Sequence, residues 1–229
     1  MSEEFANKTV QIERANMLLK ELVEYTKQPI LLVKERAKYA MGELAWLWNT
    51  AKPQTREAIL NFYRSTDLYI FDLTKYQSQL VIDVNAMIDE IKARNIKKVL
   101  DLGGGIGEYT IRAIKEAGCD VTFLELKDGL TLKYAQWRFT KHNVKPKIVD
   151  EEYPWQNEEW DLVFAMDVIE HMDEAESKKT LDALRAKAKY VFANPEFLKY
   201  DDLFPQHISK FAMDGFSRSG TLIYKNQNI

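Results

Sequence analysis

Four glycines fall within the five positions 103–107, in the string VLDLGGGIG that runs from Val99 to Gly107. An apolar, β-branched run that enters a glycine cluster and then a helix-forming stretch has two chemical uses. Residues without side chains let backbone approach a ligand closely, and the start of the helix turns its free N–H groups toward it. Further on, WDLVFAMDVIEH brings Asp167, Glu170 and His171 directly after another apolar run. A neutral imidazole can accept a proton from a hydroxyl or an ammonium near pH 7, and carboxylates beside it can hold a hydroxyl or attract an amine. His171 is therefore the candidate general base, with Glu170 and Asp167 facing the same group. The same D-x-x-E-H set could alternatively hold a divalent metal, with His207 as a further ligand; the reading preferred here has no metal. An anchoring role for the His171 ring within its own loop is the structural alternative.

Spacing narrows the ligand. A dinucleotide fingerprint needs G-x-G-x-x-G, but counting from Gly103 and Gly105 the last position is Glu108, and from Gly105 and Gly107 it is Thr110. A nicotinamide oxidoreductase is disfavoured on that count. A P-loop is excluded because no Gly-Lys-Ser/Thr follows the cluster. The string that is present reads D-x-G-x-G-x-G, as Asp101, Gly103, Gly105 and Gly107, with Gly104 between.

These residues need a frame. The chain has 229 residues and 26.7 kDa, with 46% hydrophobic and 29% charged residues, which suits one large domain or one domain with a helical appendage and excludes a disordered chain. Cys119 is the single cysteine, so an internal disulfide and a cysteine-built zinc site are both excluded. The charged N-terminal stretch has no apolar leader and no run reaches the roughly 18 apolar residues of a membrane span, so the expected location is cytoplasmic, with no membrane partner. The net charge of −3 and the absence of any Lys or Arg between Lys147 and Lys178 argue against nucleic acid as a partner. That acidic run reads as a solvated loop and helix face, and His142 is expected on the surface.

Residues 1–94 read as helical throughout, broken by Pro29 and Pro53. One helix is expected over 3–25, a second from Pro29, a third from about Gln54, and a long amphipathic segment over 67–94. From residue 95 to 229 short β-branched runs alternate with helices: KKVLDLG, DVTFLEL, PKIVD, WDLVFAMD and KYVFANP are the expected strands. The fold class is α/β, a doubly wound, mostly parallel, Rossmann-like sheet with a helical lid from the N-terminal segment. GFSRSGTLIYKN is expected to add two strands around Ser219-Gly220 as an antiparallel edge. Aromatics of the helical segment are mostly core by their spacing, but Tyr63, Tyr69 and Tyr76 carry hydroxyls that suit a pocket wall.

Over 97–225 the residues resemble the class I S-adenosylmethionine-dependent methyltransferases, small-molecule type. The loop from Asp101 to Gly107 is similar to the family's first motif, which wraps the methionine part of the cofactor. By the same resemblance Glu125, with Leu126 beside it, takes the ribose hydroxyls, and Asp150 stands on the adenine side. WDLVFAMDVIEH looks like the fourth motif, which implies Asp167 near both cofactor and acceptor, and ANPEF with QHISKF and GF resembles the segments after it. The resemblance implies an S-adenosylmethionine-binding methyltransferase domain over 95–229 and methyl transfer to O or N of a small molecule; the helices of 1–94 match no motif of the family and are expected to form a lid or cap over the carboxyl edge of the sheet. The acceptor site is then lined by Tyr63, Tyr69, Tyr76 and His207. The rival readings are a catalytically inactive cofactor-binding interaction module and a methyltransferase acting on a protein. Oligomeric state is not legible in the sequence.

Overall fold

The apolar runs that end in glycine or acid become the strands of a single sheet. The computed structural model describes residues 3–53, 55–79, 81–194, 213, 216–218 and 223–227, with the side chains of 3–8, 10 and 81–83 left aside. Strands β1 (Lys98–Leu102), β2 (Asp120–Leu124), β3 (Lys147–Val149), β4 (Trp160–Ala165) and β5 (Ala188–Ala193) are mutually parallel. With β6 (Phe216–Arg218) and β7 (Ile223–Asn226) they form a seven-stranded sheet in the order β3-β2-β1-β4-β5-β7-β6. β7 runs antiparallel to both of its neighbours, so the antiparallel strand lies one place in from the edge and β6 forms the rim. Strand order reverses between β1 and β4, and a crevice at the carboxyl ends of those two strands is where such sheets take ligands.

Both faces of the sheet are covered, which is why its strands read as nearly continuous apolar runs. Side chains alternate along each strand. Val99, Leu162, Phe164 and Phe192 meet Met87, Ile88 and Ile91 of α5 (Val81–Ala93) and Ala113 of α6 (Glu108–Ala117). Leu100, Val163 and Val191 face the other way, onto Leu181 and Leu184 of α8 (Glu174–Lys187). The expected long segment over 67–94 corresponds to α4 (Leu68–Gln79) and α5 on either side of residue 80, and α5 belongs to the core of the sheet.

The remaining N-terminal helices are α1 (Glu3–Thr26), α2 (Ile30–Ala51) and α3 (Arg56–Ser65). The last begins two residues later than its proline suggests, because Thr55 caps it by accepting the Ala58 N–H at 3.2 Å. Leu22, Val33, Ala40, Ile70 and Phe71 gather α1, α2 and α4 into one cluster, together with Ile106 of the glycine loop and Tyr134 of α7 (Leu130–His142). Among the described residues no helix is long and apolar enough to cross a membrane.

A buried ionic network joins this helical layer to the loop. Arg138 is 0% exposed; it donates to Glu21 at 2.8 Å, to Glu108 at 2.8 Å and to the Ile106 carbonyl at 2.7 Å. Arg14 pairs with the other oxygen of Glu108. His142, expected on the surface, is instead half-buried, with its Nε2 2.7 Å from Glu21 Oε1, because the last turn of α7 lies against α1. Burial pushes the Glu21 carboxyl up, but the hydrogen bond with His142 and the charge and hydrogen bond of Arg138 more than reverse this and hold it at about 2. The folded value lies below the unfolded one, so this stabilisation is fully present above pH ~4.5 and is lost as pH falls toward 2. Arg138→Leu strands two carboxylates in the interior and is expected to cost about 3–5 kcal/mol in urea unfolding at pH 7. A loss under about 1 kcal/mol would show that the network does not hold the layers together.

Candidate active site

β1 delivers the chain into the glycine loop at the crevice. Gly103 has φ +64°, and a Cβ there would stand 2.5 Å from Val168 Cγ2, so any side chain is doubly excluded. Gly107 caps α6 with φ +75°, and a Cβ on it would meet Phe139 at 2.5 Å. Asp101 fixes the loop from below, accepting the Thr110 hydroxyl at 2.6 Å. From the end of β2, Glu125 accepts the Gly105 N–H at 2.7 Å through one oxygen and the Leu126 N–H at 2.9 Å through the other.

A cavity of about 480 Å³ opens above these groups. Asp101, Gly103, Gly104, Gly105, Glu125, Leu126, Asp167 and His171 line it, and so do Tyr63, Tyr69 and Tyr76. Three expected site residues are not brought there. Gly107 serves packing under Phe139. Asp150 bends the loop after β3 by accepting the Glu152 N–H at 3.1 Å, and its neighbour Glu151 lines the cavity in its place. Glu170 is buried behind the lining, with Oε1 unpartnered among the described residues. His207 lies outside the described residues. Among the described residues no three His, Cys, Asp or Glu side chains gather at metal-binding spacing.

The cavity is acidic in its depth. Burial pushes the carboxyls of Asp101 and Glu125 up to about 7 and that of Asp167 up to about 6. Glu170 is raised well above the usual range by burial and then by the Asp167 charge. Asp167 follows β4 in left-handed backbone, φ +52°, takes a hydrogen bond from Tyr76, and has Oδ1 unpartnered among the described residues. Against this acid stands a polar clasp between layers. The hydroxyl of Tyr63, on α3, is 2.9 Å from Nδ1 of His171, and Tyr69 hydrogen-bonds to the same tyrosine. Burial pushes both tyrosine hydroxyls above the usual tyrosine range and so keeps them protonated.

Much of the acidic run 150–176 is neutralised by cations from elsewhere, which the sequence did not disclose. Glu151 pairs with Arg64, Glu158 with Lys98, Asp161 with Lys189 and Glu176 with Arg56. Sequence reasoning also missed Leu73 and Gln77 on α4, Ile59 and Leu60 on α3, and Tyr109 at the start of α6, all of which line the cavity. Only Tyr109 carried a signal, its place in the first turn after the glycines.

Residues 99–189 match the family described as methyltransferase domain. That match covers less than half of the chain, residues 99–189 of 229. Magnesium protoporphyrin IX methyltransferase from Synechocystis, solved with bound SAH, shares the fold at a TM-score of 0.54 and 15% identity, covering 76% of this chain and 95% of its own. An S-adenosylmethionine-dependent methyltransferase from Clostridium acetobutylicum aligns at 16% identity over 58% of this chain, with a TM-score of 0.45. An O-methyltransferase family protein from Burkholderia thailandensis aligns at 16% identity over 72% of this chain, with a TM-score of 0.44. The chain spans 61% and 56% of the lengths of the last two. No curated protein matches the chain.

The protein is expected to show the cost of its buried acid when no ligand is present. Asp167 has a folded value of about 6, above its unfolded one, so the folded state binds the extra proton and stability falls as pH rises from about 4 to 6. Asp167→Asn keeps a residue that tolerates left-handed backbone and removes that ionisation. It is expected to raise Tm by about 2–4 °C at pH 8, with about half that gain at pH 5, in calorimetric scans of the ligand-free protein. A gain independent of pH would refute the assignment.

Proposed function

We propose that this protein is an S-adenosylmethionine-dependent methyltransferase that transfers the methyl group to an oxygen or nitrogen of a small-molecule acceptor, with the helices α1 to α4 of the segment 1–94 acting as a lid over the domain 95–229 and α5 packed into that domain's core. One observation carries the reading: the glycine cradle with Glu125, and the Asp167, His171 and Tyr63 group, open into one cavity. The residues fit the cofactor. Gly103 leaves the space that a Cβ would fill, the two oxygens of Glu125 can accept from vicinal hydroxyls, and Asp167, which lines the cavity, has in Oδ1 an acceptor unpartnered among the described residues. When bound, S-adenosylmethionine would supply an electrophilic methyl group on positively charged sulfur.

The chain's own residues then have distinct tasks. Asp101 orders the loop, Gly103, Gly104 and Gly105 approach the ligand, Glu125 holds the ribose with Leu126 beside it, and Asp150 turns the chain on the adenine side. Tyr69, Tyr63 and Tyr76 line the path with aromatic faces that favour positive charge. Ile59, Leu60 and Leu73 keep water from the acceptor. Tyr69 is hydrogen-bonded to Tyr63, and in this proposal Tyr63 passes its proton to His171 Nδ1. His171 takes up the acceptor's proton through Tyr63, whose own hydroxyl is too weakly acidic to act alone.

The exposed apolar side chains of α2, Leu31 at 74% and Trp46 at 66%, favour a second reading, an interaction module or a methyltransferase acting on a protein. Turnover separates them. S-adenosylhomocysteine is expected to bind in calorimetry, and a panel of hydroxylated and amine metabolites to reveal an acceptor. Tyr63→Phe and His171→Ala are each expected to lower kcat by about 10²-fold with S-adenosylhomocysteine affinity within about twofold. Cofactor binding with no turnover on any metabolite would support the module, and no binding at all would overturn the proposal.

A further inference from the structure

α4 crosses above the glycine loop, outside the segment 99–189 that matches the family. Its Leu73 has Cδ1 3.1 Å, and its Gln77 has Nε2 4.0 Å, from the point where a Cβ on Gly105 would stand. Gln77 is 6% exposed and lines the cavity beside Gly103 and Gly105, yet its Oε1 is covered and accepts no hydrogen bond among the described residues. A buried carboxamide left this way is rare, since folded chains satisfy almost all such groups. A leucine would fill the same space without the desolvation. Two further groups share the condition: Tyr109, 4% exposed with its hydroxyl unpartnered, and Asp167 with Oδ1 unpartnered among the described residues, both on the same cavity.

We infer that Gln77, with Tyr109, binds the amino-acid end of S-adenosylmethionine, so that the helical layer supplies part of the cofactor site; this rests on the methyltransferase reading above. The chemistry selects that end. A carboxamide both donates and accepts, a phenol does the same, and a carboxylate accepts, which together complement an ammonium and a carboxylate on one carbon. Glu125, which accepts the Gly105 and Leu126 N–H groups, is the acceptor proposed above for the ribose hydroxyls. Rotation about the last bond of Gln77 lets it present either its oxygen or its N–H to the zwitterion.

Calorimetry on the full chain with S-adenosylhomocysteine and with 5′-methylthioadenosine tests this, since the second ligand keeps the nucleoside and the thioether and lacks the amino acid. Gln77→Met preserves length and burial. It is expected to weaken S-adenosylhomocysteine about tenfold and to leave methylthioadenosine within about twofold. Tyr109→Phe is expected to follow the same pattern, and retained methylthioadenosine binding reports that each variant is folded. Equal weakening of both ligands, or no weakening of either, overturns the inference. So does a raised KM for the acceptor with unchanged S-adenosylhomocysteine affinity. If the unsubstituted protein binds neither nucleoside, the methyltransferase reading itself falls, and this inference with it.

Discussion

Arg138 reaches three separate pieces of the chain from a position with no access to water: Glu21 on α1, Glu108 at the start of α6, and the Ile106 carbonyl inside the glycine loop. A guanidinium suits the task because its planar fork offers five donors in fixed directions, which an ammonium cannot do. The consequence is geometric. The loop that must present bare backbone to a ligand is held by a charge, and the same charge fixes α1 and, through α1, the cluster that seats α2 and α4. A bundle of helices that shares no family motif is in this way registered against the sheet to within hydrogen-bond tolerance.

Below that clamp the interior is electrostatically unbalanced. Asp101, Glu125 and Asp167 are pushed up by burial, and the causes of their shifts include no neighbouring cation. A protein built for stability alone would pair such groups or replace them. Retaining them makes sense if something positively charged or rich in hydroxyls completes the set, which is the chemical profile of the proposed cofactor. The ion pairs elsewhere in the acidic run show that the chain has cations available and uses them outside the crevice.

The sheet was legible because its signals are local: apolar runs bounded by glycine or acid, with helix-length spacers. Gly103, Gly105, Glu125, Asp167 and His171, which line the cavity, were marked by the same kind of signal, since each follows a strand within a few residues of its carboxyl end. What escaped was long-range. The pairing of His142 with Glu21 and of Arg64 with Glu151 joins residues far apart in sequence, and no spacing rule indexes them. Gln77 and Leu73 look like any residues of an amphipathic helix until α4 is seen lying across the loop. The placement of Asp150 went astray for a smaller reason, a turn that spends the carboxylate on its own backbone and hands the cavity to the next residue.

The left-handed backbone at Asp167 has a broader meaning. Few side chains accept that conformation, and β-branched ones are penalised most, so the main chain aims this carboxylate and its rotamer has little say. Such a position has a very short vocabulary of viable replacements. Drift toward new acceptors would therefore be written in α3, α4 and the front of α8, where shape can change freely, while the rim of the sheet keeps the same chemical alphabet.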